Sequence, residues 1–380
     1  MKVLFLNYAY DEDLRTPSEL IERYHVIHEW CDAVRRAGAE RVSVVQRYAQ
    51  STQLRLDGID YFFIDDGMGP KLKWLQDPVD VHEFAARLAS DAVHLNGTIH
   101  FANSLRSVLK PGVAILWQSH SNGSPGWRSR WLWKKRCRHI DGLLLTSAAQ
   151  AEPLRKAGLI SNQHDIYEVP VASSTFQPLP HREWRVTLGM HEQTVFLWVG
   201  RLNANKDPLT ILQGFREIVR HDGHAHLYMI YNESDLFEEV QRTITKLALV
   251  DRVHLLGFIE HEKLPAYYSA ADFFVLGSHY EVCGFAVIEA ISCGAAPIVT
   301  DIPSFRKITR NGSIGFLWQS NNAAAFAHAV KMALKHRPRR ETIQSFFAEN
   351  LSYEVLGAKA LKIYKQASIK RQSVILEKTN

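Results

Sequence analysis

The chain has 380 residues, 46% of them hydrophobic, and 45 Lys and Arg against 40 Asp and Glu leave a net charge of +5. Roughly 100–200 residues per domain gives room for two domains, each able to bury a core, and the charge excess is too mild to indicate nucleic acid as a partner. No apolar run approaches the ~18–20 residues of a membrane span, Val3–Leu6 is too short for a signal-peptide core, and Cys31, Cys137, Cys283 and Cys293 show neither CxxC pairs nor metal-ligand spacing. The composition therefore points to a cytoplasmic globular protein that can still touch a membrane from outside.

In chain order, Val3–Leu6 reads as a buried strand. Ser18 to Ala37 then places Leu20, Ile21, Tyr24, Ile27, Trp30, Cys31 and Val34 at helical spacing, with Gly38 as the stop. Further strands are expected at 42–45, 61–64, 92–95, 113–117, 143–146 and 166–169, with helical stretches between most of them. The pattern breaks around 169–184, where Phe176-Gln177-Pro178-Leu179-Pro180 reads as linker. A second cycle follows, with strands at 194–199, 227–230, 253–255, 273–276 and 297–299, and helical sequence from Asn322. This alternation predicts an α/β chain of two doubly wound domains in tandem. The expected spans are 1–175, a linker over 176–190, 191–345, and a terminal helical segment over 346–380. A ligand is expected between the domains, at the carboxyl ends of strands.

The densest chemical signal is His279-Tyr280-Glu281-Val282-Cys283-Gly284-Phe285-Ala286-Val287-Ile288-Glu289-Ala290, a strand running through a glycine turn into a helix. A helix start offers unbonded N–H groups and partial positive charge, which suits a diphosphate. Glu281 and Glu289 beside it can accept hydrogen bonds from paired hydroxyls of a sugar or ribose. Any isolated pair of glutamates would read as solvated helix-end residues. A second element shifts that balance. Gly200-Arg201-Leu202-Asn203-Ala204-Asn205-Lys206-Asp207-Pro208 follows a buried strand, so Arg201 and Lys206 lie where two cations can hold a diphosphate and neutralise a leaving group.

Gly200-Arg201-Leu202 with Lys206, the Glu281–Glu289 spacing, Ser292-Cys293-Gly294, Pro297–Asp301 and Gly315-Phe316-Leu317, in this order, closely resemble the retaining glycosyltransferases of family 4. The resemblance is strong over about 195–345 and weaker but continuous before it. It implies a GT-B fold, two Rossmann-like domains facing each other across a cleft, with the first on the acceptor side and the second holding the donor. Leu351-Ser352-Tyr353 resembles the start of the family's terminal helix, which packs back toward the first domain. By resemblance Arg201 and Lys206 grip the donor diphosphate, Glu281 the transferred sugar and Glu289 the nucleotide ribose. Gly200 and the backbone around Cys283, Gly284, Phe285 and Ala286 line the donor, and Gly257-Phe258 lie where the base is read. His120, in Trp117-Gln118-Ser119-His120, matches a histidine facing the donor sugar; taken alone it reads as a strand-end hydrogen-bonding residue.

The sequence departs from the family where Asn7-Tyr8-Ala9-Tyr10-Asp11-Glu12-Asp13 replaces a glycine-rich loop, Tyr231-Asn232-Glu233-Ser234 replaces a Gly-x-Gly, Val171-Ala172 replaces an Asn-Gly, and Cys283 stands where an aromatic is common. Acceptor contacts in the first loop are therefore not carried over. The implied activity is a hexosyltransferase-type transfer from a nucleotide-diphosphate sugar to a hydroxyl of a glycan, lipid-linked sugar or small molecule, with retention and without a metal or other cofactor. Asp11-Glu12-Asp13 spells a D-x-D but reads as a solvated acidic turn. Two alternatives stand beside the transferase: a nucleotide-sugar epimerase or hydrolase of the same fold, and a non-catalytic sugar-nucleotide-binding protein. Separately, 127–138 carries six cations and no acid, with Trp133, Cys137 and Ile140 on one face and Trp127, Trp131, Lys134, Lys135 and Arg138 on another. That composition suits either peripheral docking at the inner face of an anionic membrane or an ordinary surface helix. No nucleic-acid partner is expected.

Overall fold

The computed structural model describes every residue except 71, 73–75, 121–128, 163, 192, 193, 234 and 380, and the side chains of 378 and 379. It divides into two compact units, Met1–Ala172 with Tyr353–Asn380, and Ser173–Ser352.

The first unit is built on an eight-stranded sheet. Its strands are β1 (Lys2–Asn7), β2 (Arg41–Arg47), β3 (Thr52–Leu56), β4 (Ile59–Ile64), β5 (Ala92–Asn96), β6 (Ala114–Gln118), β7 (Gly142–Leu145) and β8 (Asp165–Glu168). Their order is β3-β4-β2-β1-β5-β6-β7-β8, with every pair parallel except β3 and β4. Val3 and Phe5 enter one core while Leu4 and Leu6 enter the other, so β1 is covered on both faces, as its unbroken apolar run required. Helices His25–Arg36 and Tyr353–Thr379 cover the Val3/Phe5 face. They meet where Gly357 lies against Ala33: a Cβ at Gly357 would stand 2.4 Å from the Ala33 carbonyl oxygen.

The second unit carries β9 (Thr194–Val199), β10 (Ala225–Ile230), β11 (Val253–Gly257), β12 (Phe273–Leu276), β13 (Ala296–Thr300) and β14 (Phe316–Trp318). All pairs are parallel, in the order β11-β10-β9-β12-β13-β14. Strand order therefore reverses between β9 and β12. These two pair only through Phe273 with Phe196 and Phe274 with Leu197, so beyond those positions their carboxyl ends part and leave a crevice.

Four expectations need correction. The single helix over 18–37 is two, Pro17–Arg23 and His25–Arg36, broken at Tyr24 (φ −108°, ψ 36°). The edge strand β3 was not foreseen, although Asp57 and Gly58, both at positive φ, make the tight turn that joins it to β4. The stretch 176–190 is not linker throughout: His181–Thr187 is helical and lies in the second unit, where Arg185 bonds Asp272 and the Ala270 carbonyl. The units divide at 172/173 and 352/353, not at 175 and 345, because Tyr353 begins the long terminal helix while Arg340–Asn350 stays with the second unit.

Candidate active site

The crevice between β9 and β12 is walled by two loops that are stitched together. Asn205 fixes the second loop through three bonds: its Nδ2–H donates to Tyr280 O (3.0 Å), its Oδ1 accepts from Tyr280 N–H (3.2 Å), and its carbonyl accepts from His279 N–H (2.9 Å). Gly277 permits the approach, since a Cβ there would lie 2.9 Å from the Asp207 carbonyl oxygen. Asp207, at φ 43°, caps the helix Pro208–His221 by accepting from Thr210 N–H at 3.1 Å. Gly200 N–H donates to the Ile230 carbonyl at 3.1 Å, so the loop after β9 is anchored at both ends.

This stitching brings Lys206 Nζ onto Glu281 Oε1, an ion pair with both side chains largely buried. Ser278 Oγ donates to the same carboxylate oxygen at 2.7 Å. Gly200 lies beside the Lys206 stem, its virtual Cβ 3.6 Å from Lys206 Cδ. Three residues past Glu281, Gly284 (φ 84°) opens the helix Phe285–Ser292, whose first turn has no side-chain cap. A Cβ at Gly284 would strike Phe305 Cε1 at 2.5 Å, so both conformation and space require glycine. Cys283 is buried under this turn, Phe285 is exposed and Ala286 half-buried.

Glu289 sits in the second turn of that helix and is held from two directions: Tyr268 OH donates to Oε2 and His261 Nε2–H to Oε1, both at 2.9 Å. The hydrogen bond to Glu289 raises the His261 pKa, while burial, then the Glu289 charge, raises that of Tyr268. Arg201 does not join the Lys206–Glu281 pair; it is 54% exposed and turns to Glu233 at 3.6 Å. Gly257 ends β11 at φ 72°, its carbonyl accepting from Tyr231 N–H, and Phe258 beyond it is exposed.

In the first unit His120 lies two residues past β6, with Nε2–H donating to Asn96 Oδ1 at 2.6 Å. Desolvation of the ring lowers its pKa and keeps it neutral at pH 7. Asn205, Ser278, Tyr268 and His261 were missed by sequence reasoning. Asn205 lies inside a segment already singled out, but Tyr268 and His261 stand 21 and 28 residues from Glu289 and carry no local signal.

Among the described residues no group of three or more His, Cys, Asp or Glu side chains is arranged to hold a metal ion. Asp11 Oδ1 accepts from Asp13 N–H at 3.2 Å, so the D-x-D forms a local turn. In the basic segment, Trp127 lies outside the described residues. The helix Arg130–Cys137 buries Cys137, packs Trp133 against Trp117, and leaves Trp131 65% exposed. Among the described residues no helix is long and apolar enough to cross a membrane.

The family model for glycosyl transferases group 1 matches residues 181–346. The alpha-D-kanosaminyltransferase of Streptomyces kanamyceticus is 25% identical over 236 residues, which span 60% of this chain and 60% of that protein, less than two thirds of its length. The GDP-mannose:cellobiosyl-diphosphopolyprenol alpha-mannosyltransferase of Xanthomonas campestris is 25% identical over 261 residues, 67% of each chain. The structure of sucrose-phosphate synthase from Thermosynechococcus elongatus superposes with a TM-score of 0.70 at 18% identity, covering 96% of this chain and 99% of that one. That likeness identifies the fold as GT-B.

Proposed function

Since residues 181–346 match the family model for glycosyl transferases group 1, we propose that this chain moves a sugar from a nucleotide-diphosphate donor to a hydroxyl acceptor. The observation carrying this reading is the Lys206–Glu281 pair at the point where strand order reverses, beside an uncapped helix amino terminus.

In the reaction, the bond from the anomeric carbon to the diphosphate oxygen breaks and a bond to the acceptor oxygen forms. The acceptor proton passes to the departing phosphate. Charge therefore grows on the diphosphate, where Lys206 Nζ, Arg201 and the N–H groups after Gly284 stabilise it. Lys206 trades part of its pairing with Glu281 for the phosphate, and Glu281, kept in place by Ser278, accepts hydrogen bonds from sugar hydroxyls. Glu289, oriented by Tyr268 and His261, accepts from the ribose. Gly257 and Phe258 border the base. Neutral His120 can offer or accept one hydrogen bond at the transferred sugar. Attack from the face the phosphate leaves gives retention, and these cations do the work a metal would otherwise do.

The acceptor is expected at the first unit. A lipid-linked acceptor fits both the polyprenol-linked substrate in the name of the Xanthomonas relative and the exposed Trp131 among cations, which suits docking at the inner face of an anionic membrane. On this reading the protein works in the cytoplasm, in polysaccharide or glycolipid synthesis.

A thermal-shift panel of UDP, GDP, ADP, TDP and their common sugars tests the donor site: one base is expected to stabilise selectively, and Lys206→Ala to remove that shift. A flat panel defeats the reading. Product stereochemistry and turnover in chelator test retention and metal independence; an inverted product, or activity abolished by chelation and restored by manganese, rejects the corresponding claim. Vesicle sedimentation tests docking, and indifference to anionic vesicles at low salt removes it.

A further inference from the structure

A cavity lies in the first unit, at the opposite edge of the sheet from His120. It has a volume of about 330 Å³ and is lined by Arg138, Ile140, Asp141, His164, Ala367, Lys370, Arg371 and Val374. Asp141 and His164 immediately precede β7 and β8, so the cavity sits at the amino ends of these strands, roofed by the terminal helix. Its size falls at the small end of ligand sites, about 300–1,000 Å³.

The walls are positively charged and braced. Asp141 accepts from Arg106 Nη2 at 2.6 Å and from Ile115 N–H at 2.7 Å, with Arg371 Nη1 at 3.4 Å. Arg371 Nε–H is tied to the Pro111 carbonyl at 2.9 Å, which fixes the guanidinium at the cavity wall. Lys370 Nζ donates to Asp165 at 2.7 Å. His164 is spent within the protein, its Nε2–H on the Cys137 carbonyl and its Nδ1 accepting from Ser161 N–H, both at 3.1 Å. Four cations, Arg106, Arg138, Lys370 and Arg371, thus meet two carboxylates, Asp141 and Asp165, an excess of two positive charges. Neighbouring His139 registers the same field: burial first, then Arg106, Lys135, Arg371 and Arg138, lower its pKa. Ile140, Ala367 and Val374 supply an apolar side to the space.

We propose that this cavity binds a phosphomonoester of about two negative charges, with Arg138, Lys370 and Arg371 on the phosphoryl oxygens and the apolar wall against its organic part. The source is either a dissolved phosphate ester or the headgroup of a phosphomonoester lipid. Either way the site belongs to the other unit from the Lys206–Glu281 crevice and lies at the amino rather than the carboxyl edge of its sheet.

Full-length protein carrying Lys206→Ala, which removes the crevice cation, is titrated calorimetrically with inorganic phosphate and with glycerol 3-phosphate. The same protein with Arg138→Gln and Lys370→Gln, both at exposed positions, is the comparison. Saturable binding that weakens at least tenfold in the comparison protein supports the site and assigns a dissolved ligand. No response to these probes, together with capture on phosphatidic acid vesicles in preference to phosphatidylserine vesicles and lost on substitution, supports it and assigns the lipid. Binding or capture that survives the substitutions, or silence with every probe, overturns it. Should the double substitution disturb folding, Arg138→Gln alone repeats the test with a partial loss expected.

Discussion

The two sheets reverse their strand order in the same way and finish those edges with opposite chemistry. In the second unit the loops after β9 and β12 bring Lys206 onto Glu281, and Glu289 is bound by Tyr268 and His261. In the first unit the corresponding edge carries a row of amides at one register: Gln46 on β2 pairs Asn7 on β1, Asn7 pairs Asn96 on β5, and Asn96 pairs Gln118 on β6. Asn7 and Gln118 are only 4% and 1% exposed, and their side-chain N–H groups have no hydrogen-bond partner among the described residues. The histidines there are held neutral. Burial lowers His94 to about 3 and His82 to about 4, as His94 joins Gln118 to Tyr364 and His82 joins Tyr8 to Ser104. Under the proposed function, the charged edge receives the diphosphate and its neighbouring hydroxyls, and the neutral donors of the other receive an uncharged acceptor hydroxyl.

The largest expected effect falls on the charged edge. Glu281→Gln and Lys206→Ala should each lower kcat by more than about 100-fold, read from initial rates with saturating donor, while circular dichroism stays unchanged. A loss below tenfold would break the contrast. On the neutral edge, Asn7→Ala should raise acceptor KM by roughly tenfold, the worth of one hydrogen bond to an otherwise unpaired buried group. Acceptor-independent donor hydrolysis should not move, and an equal rise in donor KM would erase the distinction.

A smaller effect separates the edges by pH. His82 and His94 titrate lower folded than unfolded, so the stability they contribute is complete above about 6.5, the unfolded value, and falls as the pH drops toward their folded values. The loss approaches about 1.4 kcal/mol per pH unit for each, measured by denaturant unfolding; replacing His94 by Gln should flatten this acid limb. His261 has the opposite sign. Its pKa is raised by Glu289, so its contribution is complete below the unfolded value and fades as the pH rises past the folded one. An NMR titration should find it raised from the ordinary histidine value, and Glu289→Gln should bring it down.

Much of the architecture was legible because parallel strands buried on both faces are continuous apolar runs, and β1, β6, β7, β9 and β12 each announce themselves that way. β3 has one buried neighbour, an exposed pattern and no such run, so only the Asp57-Gly58 turn betrays it. The break at Tyr24 escaped because helical spacing continues across it. At the site, Gly200, Lys206, Glu281, Gly284 and Glu289 could be picked out because each lies at a strand end or helix start, where local sequence sets what the backbone presents.

The sequence by itself thus determined most of the elements and which charged groups reach the carboxyl edge of the second sheet, since both follow from patterns over neighbouring residues. Tertiary structure alone decided that Lys206 closes on Glu281 while Arg201 turns to Glu233, that Tyr268 and His261 orient Glu289, and that Arg138, Lys370 and Arg371 surround one cavity. Those pairings join residues far apart in the chain, and the strand order that brings them together is fixed by packing of both faces of each sheet.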